Sequence, residues 1–166
     1  VSAQLPTLAS TNARSIFPKL RNFAEDMLQR KITVSMISET WEQAEGNRKF
    51  QEETERLFEL HGLKFVSCPR QSIHRGGGAA IIVDTTKFSC EKLNIIVPGK
   101  LECVWAMLRP KVESKETPFN EIVICAFYSA PKSRKNRQLI DHIISTLHII
   151  LTKYPNCGWV AGGDKN

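Results

Sequence analysis

The sequence predicts an α/β fold in which helices and strands pack in layers. Residues 33–40 are apolar on both faces and follow a helical pattern, which is typical of a strand covered on both sides. Closely spaced apolar runs between residues 79 and 108 indicate antiparallel hairpins. At 166 residues and 42% hydrophobic, the chain is long enough for one domain, residues 1–166, with its own core.

The first strand is predicted at residues 5–10, and a helix follows it. Ser15 is a candidate helix cap and Pro18 fits the first helical turn. The helical spacing of five apolar residues then predicts one apolar helix face, formed by Leu20, Phe23, Ala24, Met27 and Leu28. Asn12 therefore lies at a turn between a strand and a helix, and Glu39 lies at the end of the strand formed by residues 33–40.

The middle of the chain continues with one helix and four strands. They are predicted as a helix at residues 48–61 that Gly62 ends, and strands at Leu63–Cys68 and at residues 79–83, 93–97 and 101–108. Gly76, Gly77 and Gly78 allow a tight start of the strand at residues 79–83. Phosphate binding by these glycines is the alternative, although their spacing fits neither a P-loop nor a dinucleotide fingerprint.

A strand, a long helix and a last strand close the chain. The strand at residues 121–127 delivers Tyr128 to the edge of a sheet, and the strand at residues 159–161 runs into two glycines before Asp164 and Asn166. Glycines at a strand end let the backbone approach a ligand closely. The helix between these strands has one apolar stripe, formed by Leu139, Ile140, Ile143, Ile144, Leu147, Ile150 and Leu151.

Five polar side chains directly follow predicted apolar strands, so one sheet rim can collect them. They are Asn12, Glu39, Tyr128, Asp164 and Asn166. Carboxylates and amides in such a position suit an oxygen-liganded metal ion or an activated water, and a tyrosine hydroxyl there can bind a phosphate. Each residue alone also fits a simpler interpretation, as a solvated loop or an ordinary polar turn.

Positive charge is concentrated in the second part of the chain. Residues 1–70 hold 10 Lys/Arg against 9 Asp/Glu, whereas residues 71–166 hold 13 against 8, and the formal net charge is +6. Lys132, Arg134, Lys135 and Arg137 precede the long helix, where its macrodipole favours negative charge. This placement favours a polyanionic partner, and a solubility role is the alternative.

The cysteines and the hydropathy pattern indicate a soluble intracellular protein. Five cysteines are widely spaced without any Cys-x-x-Cys, as expected for reduced, mostly buried thiols. No signal peptide opens the chain, and no apolar run reaches the roughly 18 residues that a membrane span needs. We therefore expect no membrane partner.

Six short motifs occur in an order that resembles a known family. They are Asn12-Ala13-Arg14-Ser15, Ser38-Glu39-Thr40-Trp41, Arg75-Gly76-Gly77-Gly78-Ala79-Ala80-Ile81, Leu101-Glu102-Cys103-Val104-Trp105, Phe127-Tyr128-Ser129-Ala130-Pro131 and Gly162-Gly163-Asp164-Lys165-Asn166. Taken together they resemble the endonuclease domains of non-LTR (LINE-type) retrotransposons, in the endonuclease/exonuclease/phosphatase superfamily.

The resemblance implies a four-layer α/β sandwich, with two packed mixed sheets flanked by helices, and cleavage of DNA with Mg²⁺ or Mn²⁺. It implies that Glu39 holds the metal with help from Asn12, and that Asp164 positions or deprotonates the attacking water. Tyr128 would hydrogen-bond the scissile phosphate and Asn166 would stabilise the developing charge. Such chemistry requires a polarised phosphoryl oxygen and an oriented nucleophile.

Further expectations follow from the same resemblance. The candidate DNA-binding cations are Arg14, Arg75, Lys132, Arg134, Lys135 and Arg137. A reverse transcriptase domain in the parent polyprotein and action in the nucleus are implied as well.

The sequence departs from the family at two places. Ser129 stands where an arginine is common, so one phosphate contact is in doubt, and the late Ser-Asp-His motif of the family does not occur. The resemblance thus predicts a C-terminally incomplete fold, impaired cleavage and self-association through unpaired sheet edges. A non-catalytic nucleic-acid-binding or assembly module, and less favourably a superfamily phosphatase, are the alternatives.

Overall fold

A computed structural model describes residues 5–42, 48–70, 76–99, 101–112, 119–131 and 134–165, with the side chains of residues 48–50 and 165 excepted. The strands are β1 Leu8–Asn12, β2 Val34–Ser38, β3 Leu63–Cys68, β4 Ala79–Asp84, β5 Phe88–Lys92, β6 Glu102–Pro110, β7 Glu121–Ser129 and β8 Cys157–Lys165. The helices are α1 Leu20–Gln29, which a 3₁₀ turn at Phe17–Lys19 precedes, α2 Arg48–Leu60 and α3 Asn136–Lys153.

The strands form two four-stranded sheets. The first sheet has the order β1-β2-β4-β3 and the second has the order β5-β6-β7-β8. Strands β1 and β2 run parallel, as do β7 and β8, and each parallel pair is connected through a helix. The other neighbours are antiparallel. Both sheets are therefore mixed, as predicted.

Three apolar layers hold the sheets and helices together. The sheets face each other across a core that includes Val34, Ile81, Val104 and Ile124. On the outer face of the first sheet, α1 contributes Ala24 and Met27 and α2 contributes Phe58 to a second cluster. On the outer face of the second sheet, α3 contributes Leu139, Leu147 and Ile150 to a third. The order helix, sheet, sheet, helix confirms the four-layer α/β sandwich.

The edge of the second sheet differs from the prediction. Residues 93–97, predicted as a strand, lie outside the ladder, and β5 is formed instead by Phe88–Lys92. Phe88 is fully buried in the core between the sheets and fixes β5 there. Leu93, Ile95 and Val97 pack under α3, while Ile96 is 93% exposed. Alternating hydrophobicity at residues 93–97 thus reflects packing on one side of an irregular segment.

The last strand is longer than predicted and contains both glycines. β8 extends to Lys165, and Gly162 and Gly163 pair with Ala126 and Phe127 of β7. A Cβ atom on Gly162 would lie 2.7 Å from Sδ of Met36 in the first sheet. The glycines therefore lie within the strand and do not end it. Gly162 also allows the two sheets to pack closely at Met36.

Two smaller predictions about helices are also wrong. Ser15 does not cap a helix, because the 3₁₀ turn begins after Ile16 and has no side-chain cap. The apolar stripe of α3 is narrower than its sequence suggests, since Ile140 and Ile144 are exposed. In the part of the chain that the structure describes, no helix combines the length and apolarity required to cross a membrane.

Candidate functional site

Backbone hydrogen bonds tie three loops together at one end of the first sheet. Beyond the last pair of β1 and β2, Ala13 N donates to Ser38 O at 2.9 Å and Ser15 N donates to Glu39 O at 3.0 Å. Trp41 N in turn donates to Gly77 O at 2.9 Å. We call this end of the sandwich the rim. Each of its loops is thus joined to a neighbouring loop through the backbone.

The rim also concentrates unusual backbone conformations. Arg14, Ser15, Glu39 and Trp41 have φ angles of 43°, 77°, 55° and 60°, in the left-handed region that non-glycine residues rarely occupy. Such conformations cost free energy and persist where the surrounding structure enforces them, often at functional sites. Glu39 is therefore held in place by its backbone and by its neighbours.

The second sheet brings a row of three polar residues to the same rim. Glu102 pairs with Tyr128 across β6 and β7, and Tyr128 pairs with Asp164 across β7 and β8. Two residues earlier on β7 and two residues later on β6, Ala126 and Val104 face the core between the sheets. Because side chains alternate along a strand, Glu102, Tyr128 and Asp164 continue that inner face to its open end.

The two sheets meet at the rim through a hydrogen bond between Asn12 and Asp164. Asn12 Nδ2 donates to Asp164 Oδ2 at 2.6 Å, and Asn12 Oδ1 accepts from the backbone N–H of Arg14 at 3.1 Å. The second bond fixes which end of the Asn12 amide faces the carboxylate. Asp164 is thus oriented by a residue 152 positions earlier in the chain.

Tyr128 lies within the field of three carboxylates. Its pKa is raised, first by burial and then by the charges of Glu39, Glu102 and Asp164, against which Arg70 acts. A raised pKa keeps the hydroxyl protonated at neutral pH, so it can donate a hydrogen bond to an anion. Glu39, which is half-buried, accepts a long hydrogen bond of 3.4 Å from Trp41 Nε1.

Sequence reasoning missed a second group at the rim, formed by Arg70, Glu102 and the glycines before β4. Gly78 N donates to Glu102 Oε2 at 2.6 Å, and Arg70 Nε lies 3.2 Å from Glu102 Oε1. A Cβ atom on Gly77 would come within 2.3 Å of the same carboxylate. The signal was present in the three consecutive glycines, which permit this close approach, but their partner could not be identified from spacing.

The predicted DNA-binding cations lie in different parts of the structure, and two of them lie outside the described residues. Arg75 and Lys132 lie outside the described residues, as does Asn166. Arg14 is exposed at the rim beside Asn12. Arg134, Lys135 and Arg137 are exposed at the start of α3, where Arg137 lies 3.9 Å from Asp141. The charge of Lys135 also reaches Glu102, whose pKa is raised mainly by burial. This part of the predicted cationic surface therefore borders the rim.

The donor chemistry of the rim fits a hard divalent cation. Among the described residues, no three His, Cys, Asp or Glu side chains lie close enough together to hold a metal ion by themselves. Mg²⁺ needs only one or two carboxylates and keeps several waters. Asn12 pairs with Ser38 across β1 and β2, and Glu39 follows Ser38, so an amide and a carboxylate, donor types that Mg²⁺ accepts, lie at the ends of neighbouring strands.

Comparison by sequence finds no relative: no protein-family model and no curated protein matches the chain. Comparison by structure does find similar folds. The endonuclease domain of TRAS1, a telomere-specific non-LTR retrotransposon, is 17% identical with a TM-score of 0.60 over 93% of this chain and 58% of that one. AP endonuclease LMAP from Leishmania major is 16% identical, with a TM-score of 0.57 over 94% and 53%.

A phosphatase has a similar fold as well. ANGEL2, a 2',3'-cyclic phosphatase, is 15% identical, with a TM-score of 0.62 over 87% of this chain and 42% of that one. These proteins share the endonuclease/exonuclease/phosphatase fold, and this chain adopts it. The chain spans about half the length of these solved structures.

Proposed function

We propose that the chain forms the catalytic scaffold of a Mg²⁺-dependent endonuclease that nicks DNA. The observation that carries this proposal is the hydrogen bond between Asn12 and Asp164, which joins the two sheets directly beside Tyr128. It places an oriented carboxylate next to a protonated hydroxyl at the open end of the sandwich. Hydrolysis of a phosphodiester needs both groups, one to position water and one to bind a phosphate oxygen.

Each rim residue then has a place in the reaction, and Asn12 has two. Asp164 accepts a proton from the attacking water, and Asn12 keeps its carboxylate in the required orientation. Tyr128 donates a hydrogen bond to a non-bridging phosphate oxygen. We assign Asn166, two residues after Asp164, to the negative charge that develops on the phosphorus oxygens. Glu39 and Asn12 would hold Mg²⁺, which supplies Lewis-acid polarisation of the phosphoryl group when bound.

DNA is proposed as the substrate because exposed cations border the rim. Arg14, Arg134, Lys135 and Arg137 can bind backbone phosphates on either side of the scissile bond, and we assign Arg75 and Lys132 to the same surface. The similarity to the TRAS1 endonuclease domain supports a role in target-site cleavage by a retrotransposon. We propose a nuclear site of action and a parent protein with a reverse transcriptase domain on the same grounds.

Self-association is proposed for the edges of the two sheets. Among the described strands, β1 and β8 are edge strands, and Leu8 and Trp159 on them are 38% and 51% exposed. An exposed edge strand with apolar side chains is a template for pairing with another chain. Light scattering over a range of concentrations tests this expectation.

The test of the proposed function combines a metal titration with a nicking assay. We expect Mg²⁺ or Mn²⁺ binding by calorimetry that Glu39→Gln abolishes. We also expect conversion of supercoiled plasmid to the open circle at an impaired rate, because the late Ser-Asp-His motif does not occur, and a further reduction by Asp164→Asn of about 100-fold or more. Glu91→Gln is the control, because Glu91 is an exposed carboxylate on the edge strand β5. Nicking that survives both rim substitutions at the rate of the Glu91 control would refute the proposal.

A non-catalytic nucleic-acid-binding module is the second candidate, and the cations at the start of α3 favour it. It predicts DNA binding that weakens with salt, with a log–log slope of about −0.9 per phosphate neutralised. Binding of that kind by a folded chain that neither binds Mg²⁺ nor responds to Asp164→Asn would establish this alternative. Hydrolysis of a phosphomonoester without DNA nicking would instead indicate a phosphatase.

A further inference from the structure

We infer that Arg70 is a further phosphate-binding residue of the rim and that Glu102 positions it. The inference rests on the proposed function for the identity of the anion, a phosphodiester of DNA. Neither residue was predicted as part of the site: Arg70 lies two residues after β3, and Glu102 is the first residue of β6. Both were identified from contacts in the structure alone.

The position of Arg70 is fixed at its backbone and at its side chain. Its backbone N–H donates to Glu42 O at 2.8 Å, which ties the residue to the loop that follows β2. Its Nε lies 3.2 Å from Glu102 Oε1, with the two side chains 22% and 13% exposed. The pair is therefore largely buried, where a charge interaction is screened less than at the surface.

The place of Glu102 in the second sheet brings Arg70 to the reacting centre. Glu102 is the direct register partner of Tyr128, and Tyr128 is that of Asp164. Residues opposite each other on neighbouring strands have Cβ atoms only about 4.5–5.5 Å apart. The guanidinium held by Glu102 is thus one side chain away from the Tyr128 hydroxyl, which also responds to its charge.

The glycines before β4 lock the carboxylate that orients Arg70. One oxygen of Glu102 accepts from Gly78 N at 2.6 Å and the other faces Arg70. Any side chain on Gly77 would collide with this carboxylate, and a Cβ on Gly76 would lie 3.3 Å from Arg70 Nη1. Gly76, Gly77 and Gly78 therefore pack closely against the pair and limit the space open to the guanidinium.

The charge balance of the rim explains why a cation is needed there. Glu39, Glu102 and Asp164 all act on Tyr128, so a phosphodiester approaching this hydroxyl meets three carboxylates. Arg70 supplies the opposing charge at the same hydroxyl. A guanidinium has five N–H donors in a planar fork, which allows it to bind a carboxylate and a phosphate together. Arg70 thereby makes the centre of the rim attractive to an anion.

Arg70 could instead act only as the neutralising partner of buried Glu102. A comparison of variants distinguishes this structural role from phosphate binding. Four variants are compared with the wild type: Arg70→Gln, Glu102→Gln, the double variant carrying both, and Arg109→Gln as the matched control. Arg109 lies at the far end of β6, roughly 23 Å from Glu102 by strand geometry. It also pairs with two glutamates, Glu91 at 3.1 Å and Glu121 at 2.8 Å.

Three quantities are measured for each variant. They are the thermal unfolding midpoint, the salt dependence of binding to a short double-stranded oligonucleotide in EDTA, and the rate of plasmid nicking in Mg²⁺. We expect Arg70→Gln to reduce the magnitude of the log–log salt slope by about 0.9, one phosphate contact, and to slow nicking about 10-fold or more. Arg109→Gln should change neither quantity.

The double variant separates the two roles of Arg70. Removing both charges relieves the unpaired carboxylate, so the unfolding midpoint should recover towards the wild-type value, whereas the salt slope and the nicking rate should not. Recovery of all three would show a structural pair and overturn the inference, as would an Arg70→Gln slope and rate equal to those of Arg109→Gln.

Failure of the inference and failure of the proposed function give different results. If the wild type nicks DNA and Arg70→Gln nicks equally well with an unchanged slope, Arg70 has no such role and the function stands. If the wild type does not nick but Arg70→Gln still lowers the slope, the nuclease proposal fails while the phosphate contact is supported.

Discussion

Glu42 is a buried carboxylate behind the rim, and its burial has a cost that depends on pH. The residue is only 3% exposed, and its Oε2 atom has no hydrogen-bond partner among the described residues. Burial raises its pKa, and the charge of Glu55 adds to the effect, while a hydrogen bond with Ser67 and the charge of Lys92 oppose it. The folded state therefore binds the proton more tightly than the unfolded chain does.

Glu42→Gln is expected to flatten the dependence of stability on pH. The stabilisation from protonated Glu42 is fully present below its ordinary pKa of 4.5 and is lost as pH rises through the raised value. Glutamine stays neutral, so the variant should unfold at a higher temperature than the wild type at neutral pH, and the two should converge in acid. Thermal unfolding across a pH series measures this.

Glu91→Gln serves as the control for that series, because the Glu91 side chain is 62% exposed. Its curve should run parallel to that of the wild type. Parallel curves for Glu42→Gln as well would contradict the prediction.

At the scale of secondary-structure elements, the contact between β8 and β2 depends on a glycine, Gly162, which has no side chain to fill the space between the sheets. Gly162 faces Met36 across the two sheets, and a Cβ atom there would lie 2.7 Å from both Sδ and Cε of Met36. Gly162→Ala should reduce the free energy of unfolding by about 1–3 kcal/mol, the usual cost of overpacking a core. Denaturant titration measures the loss.

A double-mutant cycle checks the cause of that loss. In a Met36→Ala background the same Gly162→Ala substitution should cost less, because the atoms it collides with are gone. An equal cost in both backgrounds would assign the loss to the strand backbone and not to sheet packing.

Hydrophobic periodicity predicted the positions of most helices and strands well, but it predicted poorly which elements contact one another. Residues 33–40 and 63–68 were recognised because buried strands have nearly continuous apolar sequences. Residues 93–97 alternate like a strand, yet alternation records only which side is covered and not whether a partner strand exists. Gly162 and Gly163 likewise resembled a strand end, although Gly162 leaves room for Met36 of the other sheet and Gly163 leaves room for Phe127 on the neighbouring strand β7.

The candidate site was predicted in part. Asn12, Tyr128 and Asp164 were predicted to share a rim because polar residues at the ends of apolar strands can reach one. The structure brings these three together, and their catalytic roles stay a prediction. Glu102 and Arg70 were not predicted at the rim, because their place there comes from register and from a contact between different sheets. Neither property is visible in local sequence.

At the scale of the whole molecule, two lysines connect the sheets at the flank formed by β3 and β5. Lys64 Nζ donates to Cys90 O at 2.7 Å, and Lys92 Nζ donates to Ser67 O at 2.8 Å. Each lysine starts on one sheet and binds the backbone of the other. The two bonds are therefore reciprocal, and they close the flank opposite β1 and β8.

Lys92→Ala is expected to destabilise the fold by about 1–2 kcal/mol, the loss of one hydrogen bond from a charged donor. Lys87→Ala is the control, since Lys87 is exposed in the turn before β5. Denaturant unfolding measures both, and equal midpoints for the two variants would show that the bond to Ser67 contributes nothing.

The hydrogen bond between Asn12 and Asp164 has a consequence for biosynthesis. Its two residues are 152 positions apart, so every residue from Asn12 to Asp164 must leave the ribosome before the bond can form. Both sheets must also have docked, because each contributes one partner. A nascent chain that still lacks β8 can carry every earlier rim residue and still lack the carboxylate that Asn12 binds. The side-chain contact that joins the two sheets at the rim therefore forms only after β8 has been synthesised.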